Sequence, residues 1–349
     1  MFEGTINPTR RFNIVLVVMI IVAMGPYVVS SFRVEHFIIY PLGVLVVLTR
    51  WRTIHNRIMS SGLLVMGPWL LIIVIGLVAS VVSPMVESRW GYGSFLAGAD
   101  NMLMPLTVAL VVIGMAPSPT TTDSLKVVWK TIVALGVLNG VVAVANMMAP
   151  AVSDLLRPFW GAEDTDSTVA DRAMTMGRFS GIFNQPAEAG LFYSIAAIAA
   201  VAVFSNNRRL MWPALLVITV GGMLTVSKVF LFIGLPIAVV YLMVRSTPAQ
   251  RVTSVVTVAA MLVAIFSTPF IRNWSGLDYL FRFAETGQQS VLELFTAGRW
   301  NEGSTLLGVI EYVLHSSPVI GVGLRGLDVP YDSAWTEVFI YAGLIGVGL

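Results

Sequence analysis

Ten apolar stretches, near 13–31, 36–49, 62–82, 101–116, 127–149, 187–204, 210–226, 229–244, 252–271 and 334–349, constrain this chain more than any motif in it. A membrane-crossing helix needs roughly 17–25 such residues. Inside lipid every backbone N–H and C=O must be satisfied within the chain, which leaves helices as the sensible conformation here. Charged residues make up only 11% of the chain, against about 25% in ordinary soluble domains. The expectation is an all-α, polytopic transmembrane helical bundle of about ten spans. Residues 1–271 form nine of them, 272–333 a long outward-facing loop with an amphipathic surface helix, and 334–349 the start of a further span. That last run ends at Leu349 with no polar cap behind it, which reads as a chain truncated within a span. The second stretch is short and carries Pro41, so its bounds are the loosest.

Charge orients the bundle. With the N-terminus in the cytoplasm, Arg10, Arg11, Arg50, Arg52, Arg57, Lys126, Lys130, Arg208, Arg209, Arg245 and Arg251 fall on the inner side, accompanied only by Glu3 and Asp123. Of the 21 basic and 19 acidic residues, 10 and 17 remain for the outer side. Short basic inner loops follow the positive-inside rule. The first run follows Arg10-Arg11 without a small-residue cleavage site, so it reads as a retained span and not a signal peptide. Both long polar stretches, 151–178 and 272–333, then face outward.

Several chemistries drop out. With no cysteine there is no disulfide and no thiolate metal site. No phosphate-binding loop of the GxxxxGK[ST] type occurs, and GVG at 321–323 lacks a strand-turn-helix context. Histidines at 36, 55 and 315 have no metal-ligand spacing, and no GxSxG elbow appears. A net charge of +2 gives no reason to expect nucleic acid.

Charges beside membrane helices are costly and therefore informative. Four outer cations stand out: Arg178 in RFSGIFNQP, Lys228 in LTVSKVFLF, Arg299 in TAGRW and Arg325 in GVGLRG. Guanidinium forks suit a diphosphate; the plainer reading has these side chains snorkel to headgroups or pair with outer acids. The spacing of Leu306, Ile310, Val313 and Leu314 predicts one apolar helix face roofing a cavity, with Glu311 and His315 an i,i+4 pair. His315 is a general base or a partner of Glu311. Asp332 is a carboxylate base or the N-cap of the last span. Glu188 and Glu337, each near the start of a span, are either acids with a pKa raised by desolvation or hydrogen-bonding links between helices. Asn184 and Gln185 add amides to the cavity lining, and Pro186 starts the helix behind them.

In order, RFSGIFNQPAEAG, LTVSKVFLF, TAGRW, SPVIGVGLRG and YDSAWTEVFIYAGLIGVG resemble the O-antigen ligase and O-antigen/exopolysaccharide polymerase family of bacterial envelope glycosyltransferases, over the half of the chain from Gly177 onward. That resemblance implies a metal-independent, cofactor-free inner-membrane enzyme with a periplasmic active site. Its donor is an undecaprenyl-diphosphate-linked glycan, its acceptor a glycan hydroxyl, and its partners are membrane lipid and a chain-length regulator protein. Arg178, Lys228 and Arg299 correspond to the family's diphosphate-gripping cations, with Ser227-Lys228 where the family often has Ser-Arg. Ligases typically carry a histidine where this chain reads Tyr331-Asp332-Ser333, which favours polymerisation of lipid-linked repeat units over transfer to lipid A-core and turns Asp332 into the base. A transporter or flippase for lipid-linked oligosaccharide is the non-enzymatic alternative.

Overall fold

The computed structural model describes residues 7–29, 32–83, 90–117, 122–161, 167–267, 274–276, 303–329 and 334–349. These residues fold almost wholly into helices. Four of them, Val34–Ser60, Phe95–Met115, Asp123–Met148 and Pro186–Phe204, are long and apolar enough to cross a membrane. Shorter apolar helices include Met66–Val82, Val229–Val244 and Trp335–Gly348. Apolar side chains stand exposed along these helices, with Val81 at 85%, Leu48 at 76% and Leu96 at 72%. Such surface suits hydrocarbon and would be a liability in water.

The chain divides into two compact units, one from Met1–Ile38 and Pro117–Gly287, the other from Ile39–Ala116 and Gln288–Leu349. The first contains α1 (Pro8–Val22), a hairpin of β1 (Tyr27–Val29) and β2 (Phe32–Arg33), and the helices between residues 122 and 267. The stretch 13–31 is therefore helical only to Val22. Gly25 packs against Val34, proline follows it, and the chain turns back into the antiparallel hairpin. Arg33 closes this turn by donating to the carbonyls of Ala23 and Gly25.

Around α8 (Pro186–Phe204) pack α5 (Thr122–Met148), α9 (Arg208–Leu224) and α10 (Leu235–Val244). The centre of α8 reads YSIAAIAA, and Tyr193, Ala196, Ala197 and Ala200 are fully enclosed. Small residues let helix backbones approach closely, which substitutes for hydrophobic driving force in lipid. The apolar run 229–244 is not one α-helix: Val229–Gly234 is a π-helical turn leading into α10. Position 234 has to lack a Cβ there, since one would lie 1.9 Å from Ser194 Oγ. Two shorter helices, α6 (Ala151–Trp160) and α7 (Val169–Thr175), occupy the polar stretch 151–178, and α11 (Pro248–Ser267) follows α10.

The second unit holds α2 (Val34–Arg57) from Ile39 onward, α3 (Leu63–Val82), α4 (Phe95–Met115), α12 (Thr305–Ser316) and α13 (Ala334–Gly348). Pro41 sits inside α2 without ending it, and the helix kinks instead at Arg50. Arg57 donates to the carbonyls of Ile113 and Ala116, satisfying acceptors that the end of α4 leaves over. On α12 the buried side chains are Val309 and Val313, while Leu314 is 46% exposed. The apolar face is thus rotated from the one centred on Leu306, Ile310, Val313 and Leu314, and it packs into this unit's core with Ile72, Met102 and Ile340.

Candidate functional site

The stretch RFSGIFNQP folds as a loop pinned to the end of α9. Phe179 N donates to the Leu224 carbonyl at 2.8 Å, and Arg178 Nε donates to the Thr225 carbonyl at 3.0 Å. Two of the sequence-predicted cations thereby come to one turn, because Lys228 stands three residues after Thr225 and heads the π-helical turn. The Nε bond fixes the plane of the Arg178 guanidinium.

That turn is unusual in its backbone. Thr225, Val226 and Ser227 are buried, and Val226 has φ of 47°. A β-branched residue in this region is a genuine outlier, costing on the order of 1–3 kcal/mol. Thr225 Oγ1 braces it, donating to the Gly222 carbonyl at 2.6 Å and accepting from Ser227 N at 3.2 Å. On the other side Gly190 of α8 admits Ser227, where a Cβ would meet Ser227 Cβ at 2.2 Å. Packing on two sides holds the strain in place.

The clamp on the Arg178 loop is a residue that sequence reasoning missed. Asn139, in the middle of α5 and 1% exposed, donates from Nδ2 to the Ser180 carbonyl and the Tyr193 hydroxyl at 3.2 and 2.8 Å. Its Oδ1 accepts from Ile182 N at 2.8 Å. Gly181 lies between with φ of 66°, so close that a Cβ would sit 2.2 Å from Asn139 Oδ1. Trp160 Nε1 donates to the Gly181 carbonyl, and Trp274 Nε1 to that of Gly177. The available signal was a lone asparagine in the apolar run VLNGVV, since an intramembrane amide seeks a partner.

Asn184 is engaged structurally: its Oδ1 accepts from Ala170 N at 3.1 Å, serving the first turn of α7 beside the capping box of Thr168 and Asp171. Gln185 is the exposed N-cap residue of α8 and makes no side-chain capping bond. Glu188 lies in the first turn of α8.

In the second unit, GVGLRG forms a buried turn. Gly321, Gly323 and Gly326 all have positive φ, and Leu324 N reaches Ser80 Oγ at 2.9 Å. Gly98 of α4 packs on the Leu324 carbonyl. Arg325 itself is exposed, its guanidinium 5.4 Å from the Tyr92 ring centre. Burial and Tyr92 push the nearby Tyr312 phenol up to about 12. Glu337 accepts from Asn101 Nδ2 at 2.6 Å, and Asp100 next to it accepts from Tyr40 at 2.6 Å; the polar pair Asp100-Asn101 was not among the expected residues. The expected Glu311–His315 side-chain pair takes another form. His315 Nδ1 contacts the Glu311 carbonyl at 2.8 Å, because the imidazole folds back along its own helix.

Arg299 and Asp332 lie outside the described residues. Among the described residues no three His, Asp or Glu side chains gather into a metal-binding group. Arg178, Lys228, Asn184, Gln185 and Glu188 belong to the first unit, and Arg325, His315 and Glu337 to the second. Compared with protein-family models, curated proteins and solved structures, the chain finds no match in any of the three.

Proposed function

We propose that this chain is an inner-membrane glycosyltransferase that polymerises lipid-linked glycan repeat units on the periplasmic side. The observation that supports the reading is that Arg178 binds the Thr225 carbonyl on the strained turn that leads into Lys228, so that motifs about fifty residues apart come to one place in the backbone. Fixed cations of this kind stabilise charge as it develops on a departing diphosphate.

In the proposed reaction the acceptor hydroxyl oxygen attacks the anomeric carbon of the donor sugar. The bond from that carbon to the phosphate oxygen breaks, and the carrier diphosphate leaves with the electron pair. A general base takes the hydroxyl proton, the role expected of Asp332 or His315 from the sequence. Attack opposite the leaving group inverts the anomeric centre. Arg178 and Lys228 hold the diphosphate, and Gln185 and Glu188 line the approach.

The test is glycan polymer assayed on a gel, from membranes and from purified protein supplied with polyprenyl-diphosphate-linked repeat units. Arg178→Ala should lower polymer formation by about a hundredfold, the scale of losing one electrostatic stabiliser. Arg178→Lys should recover part of it, because charge returns without the fork. Undiminished polymer from a correctly inserted Arg178→Ala protein would sink the proposal. A reconstitution that contains only lipid-linked repeat units also separates polymerase from ligase, since a ligase stays idle without a second type of acceptor.

A further inference from the structure

At the other end of α8–α11, away from the Arg178 turn, the chain gathers a second group of cations. Arg208 opens α9, Arg245 ends α10, and Arg251 lies in the first turn of α11. Between residues 189 and 276 there is no Asp or Glu at all. Among the described residues Arg208 is held by neutral groups: Nη1 donates to Ser254 Oγ at 3.3 Å, and Nη2 to Ser246 Oγ and Gln250 Oε1 at 3.0 and 2.9 Å. Its Nε is buried and finds no acceptor among the described residues. Arg251 Nε donates to the carbonyls of Met243 and Ser246, and Arg245 donates to the Tyr241 hydroxyl while lying over that ring. Among the described residues none of the three has an ion-pair partner.

The same four helices enclose an apolar crevice of about 380 Å³, lined by Trp212, Leu216 and Thr219 of α9, Leu235 and Leu242 of α10, and Val258 of α11. The volume is in the roughly 300–1,000 Å³ range of sites that enclose a small ligand. Helical spacing connects the crevice to the cations. Trp212 and Thr219 follow Arg208 by four and eleven residues, Leu242 precedes Arg245 by three, and Val258 follows Arg251 by seven. At a rise of about 1.5 Å per residue the lining runs from ~4.5 to ~16 Å along the helices from the arginines. That is the depth of one leaflet, half of a hydrocarbon core about 30 Å thick.

We infer that this crevice and its three arginines form a binding site for an anionic phospholipid, with the phosphate at Arg208, Arg245 and Arg251 and one acyl chain along the crevice. The combination is what selects the ligand. An uncompensated cation group favours a negative headgroup at a membrane surface, and a wall with almost no polar surface favours hydrocarbon. A soluble phosphate would leave the crevice unfilled, and a zwitterionic lipid would leave the net charge uncompensated. The inference rests on the membrane placement proposed above and not on glycosyl transfer.

The test uses the full chain in phosphatidylcholine nanodiscs, with brominated phosphatidylglycerol or brominated phosphatidylcholine as quencher of the Trp212 fluorescence component, defined as the part lost in Trp212→Phe. Half-quenching is expected at a mole fraction of the anionic lipid about tenfold lower than of the zwitterionic one, a few-fold preference per cation being typical near a membrane surface. Arg208→Gln keeps hydrogen-bonding capacity toward Ser246 and removes the charge, so the preference should shrink several-fold. Where that variant fails to fold, Arg245→Gln with Arg251→Gln carries the same expectation. Thr219→Phe, which fills the deep end, should reduce quenching by both lipids. Equal quenching by the two lipids in the unaltered protein overturns the inference. So does an unchanged preference in the charge variants, or displacement of the anionic lipid by millimolar inorganic phosphate, which would reveal a site for a free anion. Polymer assays on the Arg178 variants stand apart from every one of these outcomes.

Discussion

At Asn139 one carboxamide connects three segments: its own helix, the Ser180–Ile182 loop and Tyr193 of α8. Truncation leaves buried backbone groups of that loop without partners, at about 1–3 kcal/mol for each group that water cannot reach. Relaxation in a membrane environment reduces such figures. Asn139→Ala should therefore cost about 2–4 kcal/mol in thermal or denaturant unfolding of the detergent-purified protein. Because the loop carries Arg178, activity should fall further than the lost folded fraction accounts for. A variant with unaltered stability would mean that the clamp is not closed in the membrane. Residues of this kind escape sequence reading for a plain reason. Asn139 has no charge and no motif around it, and its importance comes from groups forty and more positions away.

At the scale of elements, the contact between α8 and the turn after α9 depends on fit. Gly190 leaves room for Ser227, whose Cβ and Oγ would each lie 2.2 Å from an added methyl group. Gly190→Ala should push the turn outward, on the scale of overpacking, about 1–3 kcal/mol. Ser227→Gly removes the obstructing atoms. The double variant should then be less damaged than Gly190→Ala alone, giving a coupling of at least about 1 kcal/mol in a double-mutant cycle. Simple additivity in thermal unfolding would count against this packing. The π-helical turn Val229–Gly234 belongs to the same contact, since Gly234 meets Ser194 one turn further along α8. Apolar periodicity marked 229–244 as helical, but its change of winding depends on the partner surface, which no local pattern encodes.

For the molecule as a whole, the testable statement is orientation. The chain contains no cysteine, so single cysteines can be introduced without prior substitutions. Ser167→Cys lies in the long polar stretch before α7, and Asn206→Cys in the short connection beside Arg208 and Arg209. A membrane-impermeant maleimide should label Ser167→Cys on intact cells, and Asn206→Cys only after permeabilisation. The reverse pattern would put the Arg178 turn on the cytoplasmic side and remove the basis for a periplasmic transferase. The prediction follows from the bias of short basic loops toward the cytoplasm.

Read alone, the sequence determined the predominantly helical architecture and the approximate course of several of its apolar helices. Those properties follow from local rules: apolar run length, and the need of every backbone amide for a partner nearby in the chain. It also marked Arg178 and Lys228 as unusual, because a charge beside an apolar run is conspicuous wherever it lies. Only the tertiary structure decided that Arg178 binds the turn leading into Lys228, that Asn184 serves α7, that His315 contacts its own helix, and that Arg325 rests on Tyr92. It also decided that 13–31 turns back after Val22. Each of these results depends on which surfaces meet across tens of residues, where a few tenths of an ångström at a glycine select one packing over another.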